Sequence, residues 1–305
     1  MRTEAAGFGG GKIILLGEHA VVHGTPAIAA GLQRGVVAVA RPANEDVLHI
    51  EPWNRSVRVQ GKPSDPLARA FSEALSSYPS RPSLRIEARV DLPPGAGLGC
   101  SAALGVAILD AIDKALGIER SREALGKQAL RWERFFHGSP SGVDNTAAAL
   151  GGLIRFQHGR GVSTMTTSSA FYLVVAHSGE RSDTGEMVAK VARQLEAEPS
   201  QTRRLFSEVR DLVDTAEAAV VRGDAATLGH CLDRNGETLG ALGLTTRRTE
   251  HLCRTARSAG ALGAKVTGAG GGGCIVALGD GEQRTSAIAD ALRSDAFVVE
   301  VGHAA

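Results

Sequence analysis

The sequence predicts an α+β fold in two domains, and three observations carry that expectation. Strand-like and helix-like segments alternate through the first half, whereas one strand followed by a run of helices opens the second. A chain of 305 residues that is 43% hydrophobic has enough apolar surface for more than one core. A stretch rich in glycine, serine and threonine, His158–Ser169, separates the halves and places the domains at residues 1–160 and 161–305.

Short apolar runs set the strands of the first half at Ile13–Leu16, Val36–Ala40, Val47–Ile50, Val57–Gln60 and Leu84–Val90, with a helix at Pro66–Ser77. Leu104, Ile108, Leu109, Ile112 and Leu116 recur at helical spacing and predict a helix over Ser101–Leu116. An amphipathic helix over Ser121–His137 carries Glu133, a short helix covers Gly142–Ala149, and a strand follows near Gly152–Gln157. The second half begins with a strand at Phe171–Ala176. Helices follow at Asp183–Leu195, Thr202–Val221, Ala225–Leu242, Arg247–Ala259 and Thr285–Arg293, with strands at Ala264–Thr267, Cys274–Leu278 and Phe297–Val301.

Charge is balanced, with 34 basic and 33 acidic residues and a net charge of +1. That balance argues against a nucleic-acid groove or a membrane-surface patch and leaves room for a small basic pocket. No signal-peptide core opens the chain, and no apolar run approaches the ~20 residues of a membrane helix. Cys100, Cys231, Cys253 and Cys274 form no C-x-x-C pair, which suits reduced thiols in a cytoplasmic protein.

The densest chemical signal is Pro93-Pro94-Gly95-Ala96-Gly97-Leu98-Gly99-Cys100-Ser101-Ala102-Ala103, a glycine-rich turn that runs straight into an apolar helix. Glycines at positive φ let several N–H groups converge on one anion, and the helix N-terminus points its dipole at the same place. Ser101 either caps that helix or ligates the magnesium of a nucleotide. Other glycine motifs fail on named residues. A P-loop needs lysine where Cys100 stands, and a nucleophile elbow needs glycine where Ala103 stands. Gly268–Gly273 contains G-x-G-x-x-G between two strands rather than between a strand and a helix, and Gly7–Lys12 lacks two required P-loop positions.

Charged groups gather around this loop's partners in sequence. Lys12 starts an apolar strand, and Glu18 and His19 follow its end at Gly17, where the backbone can turn polar groups into a cleft; a solvated or salt-bridged Lys12 is the plain alternative. His19 and His23 stand four apart without H-E-x-x-H, which argues against a zinc pair. Asp144 lies between small-residue turns in His137–Asn145, either delivered to a site or capping the next helix. Magnesium needs few protein ligands when phosphates and water complete its shell, so Ser101 and Glu133 suffice and Asp144 is left for an acceptor hydroxyl.

On Gly11–Gly24, Pro93–Ala103, His137–Asn145 and Gly263–Ala277, the chain resembles the superfamily of galactokinases, homoserine kinases, mevalonate kinases and phosphomevalonate kinases. Its Gly-Glu-His-Ala-Val-Val-His-Gly segment is most similar to the mevalonate kinase branch. The resemblance implies a two-domain small-molecule kinase with its active site in the cleft between domains, transferring phosphate from ATP to (R)-mevalonate to give 5-phosphomevalonate for isoprenoid synthesis. It implies Asp144 and Lys12 as catalytic residues, Ser101 and Glu133 as ligands of Mg2+, and Glu18, His19 and Thr184 as substrate contacts. Pro94, Gly95, Ala96, Gly97, Leu98, Gly99, Cys100, Ser101 and Gly270 would then bind nucleotide. The implied partners are ATP and mevalonate, with no nucleic acid and no membrane; the resemblance admits a homodimer. Cys100 replaces a serine common in relatives, and Gly9-Gly10-Gly11 replaces a common Pro-Gly, a change expected to alter flexibility rather than chemistry. The competing readings are a sibling kinase acting on phosphomevalonate, homoserine or a sugar, and an inactive metabolite-binding regulator. Intact Lys12, Ser101, Glu133 and Asp144 disfavour the second.

Overall fold

Strand β1 (Ala5–Leu16) is three times longer than its apolar run, because glycine does not break it. Gly7 and Gly9 lie where a Cβ would fall 2.3 Å from the Ala107 carbonyl oxygen and 2.1 Å from that of Ala103. Those carbonyls belong to the helix over Cys100–Leu116, so the glycines let a strand and a helix backbone touch. The Gly9-Gly10-Gly11 entry is therefore packed strand, not a flexible segment as its composition suggests. The structure, a computed structural model, describes residues 4–59, 64–93, 95–138, 140–293 and 296–302.

The chain forms two units that interleave along the sequence. One comprises residues 1–12, 31–92 and 99–151; the other comprises 13–30, 93–98 and 152–305. Strand β1 and strand β2 (Ala27–Pro42) each contribute residues to both, which no single cut near His158–Ser169 can describe.

In the first unit, β3 (Val47–Ile50) pairs antiparallel with β4 (Arg55–Arg58) and parallel with β5 (Leu84–Val90), and β5 pairs antiparallel with the Val36–Pro42 part of β2. The helices are α1 (Pro66–Ser76), α2 (Cys100–Leu116), α3 (Arg122–Glu133) and α4 (Val143–Leu150). Helix α2 is buried nearly all round, which explains its run of small and aliphatic residues. Helix α3 stops at Glu133 rather than His137, its last carbonyls turning through Phe135 and Phe136.

The second unit contains β6 (Gly152–Gln157), which pairs antiparallel with β7 (Gly161–Met165). Strand β7 lies inside the stretch read as a linker: its serine and threonine content masked an exposed strand. A separate antiparallel sheet has the order β11-β8-β10-β9, formed from β8 (Phe171–His177), β9 (Gly263–Val266), β10 (Cys274–Gly279) and β11 (Ala296–Val301). Around it run α5 (Thr184–Ala197), α6 (Pro199–Arg222), α7 (Ala225–Ala241), α8 (Arg247–Ser258) and α9 (Glu282–Leu292). Leu252 and Ala256 of α8 and Ile288 and Leu292 of α9 pack on Val174, Ala176, Ile275 and Ala277 of the sheet. Cys231, Cys253 and Cys274 are buried, and none is in a disulfide among the described residues. Among the described residues, no helix is long and apolar enough to cross a membrane.

Candidate active site

Four of the expected residues meet within the first unit. Lys12 emerges from β1 with its side chain 4% exposed, and its Nζ lies 3.1 Å from Asp144 Oδ1. Its stem runs past Gly99, where φ is 71° and a Cβ would fall 2.8 Å from Lys12 Cγ, so glycine at that position leaves the lysine its path. Asp144 occupies the first turn of α4 and is one third exposed. The N-cap is Gly142 in the left-handed region, so Asp144 is not spent on capping.

Gly99 likewise caps α2, so the Ser101 hydroxyl is not consumed as a cap. It lies near the Glu133 carboxyl and favours that group's ionised form. Glu133 ends α3 almost fully buried, and one of its oxygens, Oε1, has no hydrogen-bond partner. Burial pushes its pKa up to about 8, with the neighbouring Asp144 charge adding to the rise and Ser101 and Lys12 opposing it. His137 Nε2 stands 3.8 Å from the other oxygen. Cys100 has its thiol pKa raised to about 11 by burial and by Glu133, which keeps it neutral and unreactive.

The remaining expected residues lie in the second unit, apart from Pro94, which is outside the described residues. Gly95 and Gly97 take positive φ of 70° and 75°, while Ala96 and Leu98 between and after them are buried. Against this turn packs the Gly268–Gly273 loop: a Cβ on Gly268 would lie 3.1 Å from Gly97 O, and one on Gly273 would lie 3.1 Å from Ala96 O. Gly270 is fixed by Ser182 Oγ, which donates to its carbonyl at 2.5 Å, and by Leu244, whose carbonyl oxygen would be 2.3 Å from any Cβ. Thr184 is the first residue of α5, half-buried and directly after the N-cap Asp183.

Glu18 departs from expectation. One carboxylate oxygen pairs with Lys265 Nζ and the other accepts from Asn235 Nδ2 at 2.9 Å, all three side chains being buried. With both oxygens engaged and almost no exposed surface, Glu18 anchors the turn. His19 is also tied inward, its Nε2 being 2.8 Å from the Ala269 carbonyl oxygen. Burial lowers its pKa, and the Ala269 bond and Glu18 only partly offset that effect.

Lys265, Asn235 and Ser182 escaped the sequence reading as functional positions. A lysine inside the apolar run Gly263–Val266 is a legible signal, because a buried ammonium demands a carboxylate partner. Asn235 and Ser182 carry no comparable local mark.

Models described as the GHMP kinases N terminal domain and GHMP kinases C terminal match residues 65–152 and 216–298. The chain is similar to the mevalonate kinase of Pyrococcus abyssi, with 33% identity over 301 residues covering 91% of this chain and 89% of that protein. The mevalonate kinase of Pyrococcus horikoshii is 32% identical over the same shares. Among solved structures, L. major mevalonate kinase in complex with R-mevalonate superposes with a TM-score of 0.87 at 28% identity, covering 100% of this chain and 98% of that one.

Proposed function

Because this chain belongs to the GHMP kinase family, we propose that it transfers the γ-phosphoryl group of ATP to the primary hydroxyl of (R)-mevalonate, giving 5-phosphomevalonate and ADP. The observation that carries the reading is the Lys12–Asp144 pair, a nearly buried ammonium 3.1 Å from a carboxylate that remains accessible. A carboxylate is far too weak a base to ionise an alcohol in the ground state. It suits a loose phosphoryl transfer, in which the hydroxyl proton leaves late, as the new P–O bond forms and the bond to the ADP oxygen breaks. Asp144 receives that proton and aligns the hydroxyl. Lys12 holds Asp144 in place and offsets charge spreading over the transferring group.

Ser101 and Glu133 fit a magnesium ion, since Oε1 of Glu133 is buried with no donor to satisfy it. Among the described residues, no group of three or more His, Cys, Asp or Glu side chains is arranged to hold a metal. These two residues would therefore share the ion with nucleotide phosphates and water. Bound there, it would screen the phosphate charge. Gly95 and Gly97, both at positive φ, have the backbone geometry that suits binding of phosphate oxygens.

The test is coupled ADP release with mevalonate, phosphomevalonate, homoserine and galactose as separate acceptors. Turnover dependent on mevalonate alone is expected. Preference for another acceptor would assign the chain to a sibling activity, and no turnover with any would leave an inactive binder.

A further inference from the structure

The turn after β1 is over-determined. Gly17 has φ of 101°, and a Cβ there would fall 2.6 Å from the Pro26 carbonyl oxygen. Glu18 is locked by Lys265 and Asn235. His19 has φ of 58° and ψ of −46°, a backbone conformation that a side-chain-bearing residue keeps only when its surroundings impose it. The atom that gains from this strain is Nε2. It sits 2.8 Å from Ala269 O, and a carbonyl only accepts, so Nε2 carries the proton.

Ala269 lies in a loop held by hydrogen bonds to its backbone rather than by packed side chains of its own. Gly268, Gly270, Gly271, Gly272 and Gly273 all have positive φ and no side chains to pack. Ser182 Oγ takes the Gly270 carbonyl, the Gly271 N–H donates to Leu244 O, and the Gly273 N–H donates to Glu180 O. The Ala269 carbonyl is taken by His19, the one partner in this set from the N-terminal part of the second unit. The loop so fixed rests on Ala96 and Gly97 of the glycine-rich turn.

We propose that His19 is a positioning residue that latches the Gly268–Gly273 loop through Nε2, and so sets the backbone cradle for the nucleotide phosphates, rather than a residue that contacts the acceptor. This inference rests on the kinase reading above. The ring's one N–H is spent on Ala269, and the turn that carries it is buried.

Two isosteric substitutions separate the alternatives. Glutamine places its amide nitrogen near the position of histidine Nε2, and asparagine places its own near Nδ1. Affinity for the non-hydrolysable ATP analogue AMPPNP with magnesium is measured by calorimetry for His19→Gln, His19→Asn and His19→Ala, together with kcat, KM for mevalonate and thermal midpoints. A latch predicts AMPPNP binding weakened about tenfold in His19→Asn and His19→Ala, the usual effect of losing one buried hydrogen bond, and largely restored in His19→Gln. Asparagine tolerates positive φ better than glutamine, so backbone strain alone would give the opposite order. Retention of AMPPNP affinity in all three variants with a raised KM for mevalonate overturns the proposal, as does rescue by asparagine and not by glutamine. If the wild-type protein fails to turn over mevalonate, the acceptor assignment falls, while the AMPPNP series still decides the latch.

Discussion

Asp144 and Glu133 are two carboxylates in one unit with opposite surroundings, and their surroundings assign their roles. Asp144 is accessible and paired with Lys12; Glu133 is buried beside that negative charge and holds its proton up to a pKa of about 8. Asp144→Asn keeps shape but removes the proton acceptor, and kcat should fall at least ~10²-fold with AMPPNP affinity little changed. Near-normal turnover by the purified variant would remove Asp144 from the chemistry. For Glu133 the folded pKa lies above the unfolded value of 4.5, so the native state binds the extra proton between those limits and stability declines as pH rises from about 4.5 to 8. Glu133→Gln removes that decline. Melting of the metal-free protein should show the variant gaining on wild type between pH 5 and pH 8.5, while needing more magnesium for half-maximal rate; parallel melting profiles would contradict the burial argument.

At the scale of elements, contact between strand and helix backbones decides the site. Lys12 and Ser101 sit on β1 and α2, which meet through Gly7 and Gly9 with no room for a methyl group. Gly9→Ala drives a Cβ to 2.1 Å from Ala103 O, which only separation of the two backbones can relieve. The expected outcome is a lower thermal midpoint together with a kcat loss greater than that of Val39→Ala on β2, measured side by side. This packing also marks where the sequence was legible. Strands and helices with strong apolar periodicity, such as Leu84–Val90 and α2, were read to within a residue. Lys12, Ser101, Glu133 and Asp144 were singled out from their flanking turns and helices, and all four lie in the first unit. The first half of β1 was not read, since glycine carries no strand propensity and its purpose appears only when the facing helix is in place. Strand β7 was missed for a related reason: five residues without a buried face show no periodicity. The engagement of Glu18 was not legible, because its partners Lys265 and Asn235 lie 247 and 217 residues away, and local sequence cannot announce such a pairing.

At the scale of the whole molecule, that long-range pairing closes the second unit. Lys265 Nζ reaches both Glu18 and the Ile14 carbonyl, and Thr267 Oγ1 accepts from the Ile14 N–H at 2.9 Å and donates to the Ile14 carbonyl at 2.9 Å. An N-terminal strand is thus riveted to a C-terminal one by groups that have left water completely. A buried ion pair is weakly stabilising as a pair but costly to break singly, because the survivor is left as an unpaired charge. Lys265→Met should therefore lower stability by about 3–5 kcal/mol, visible as a large drop in the thermal midpoint. The double variant Glu18→Gln, Lys265→Met removes both charges and should recover a substantial part of that loss, although Asn235 keeps only a neutral acceptor. The decisive quantity is the coupling between the two substitutions. If the double variant is no more stable than Lys265→Met alone, the lysine acts through packing rather than charge, and the rivet between β1 and β9 must be assigned to Thr267 instead.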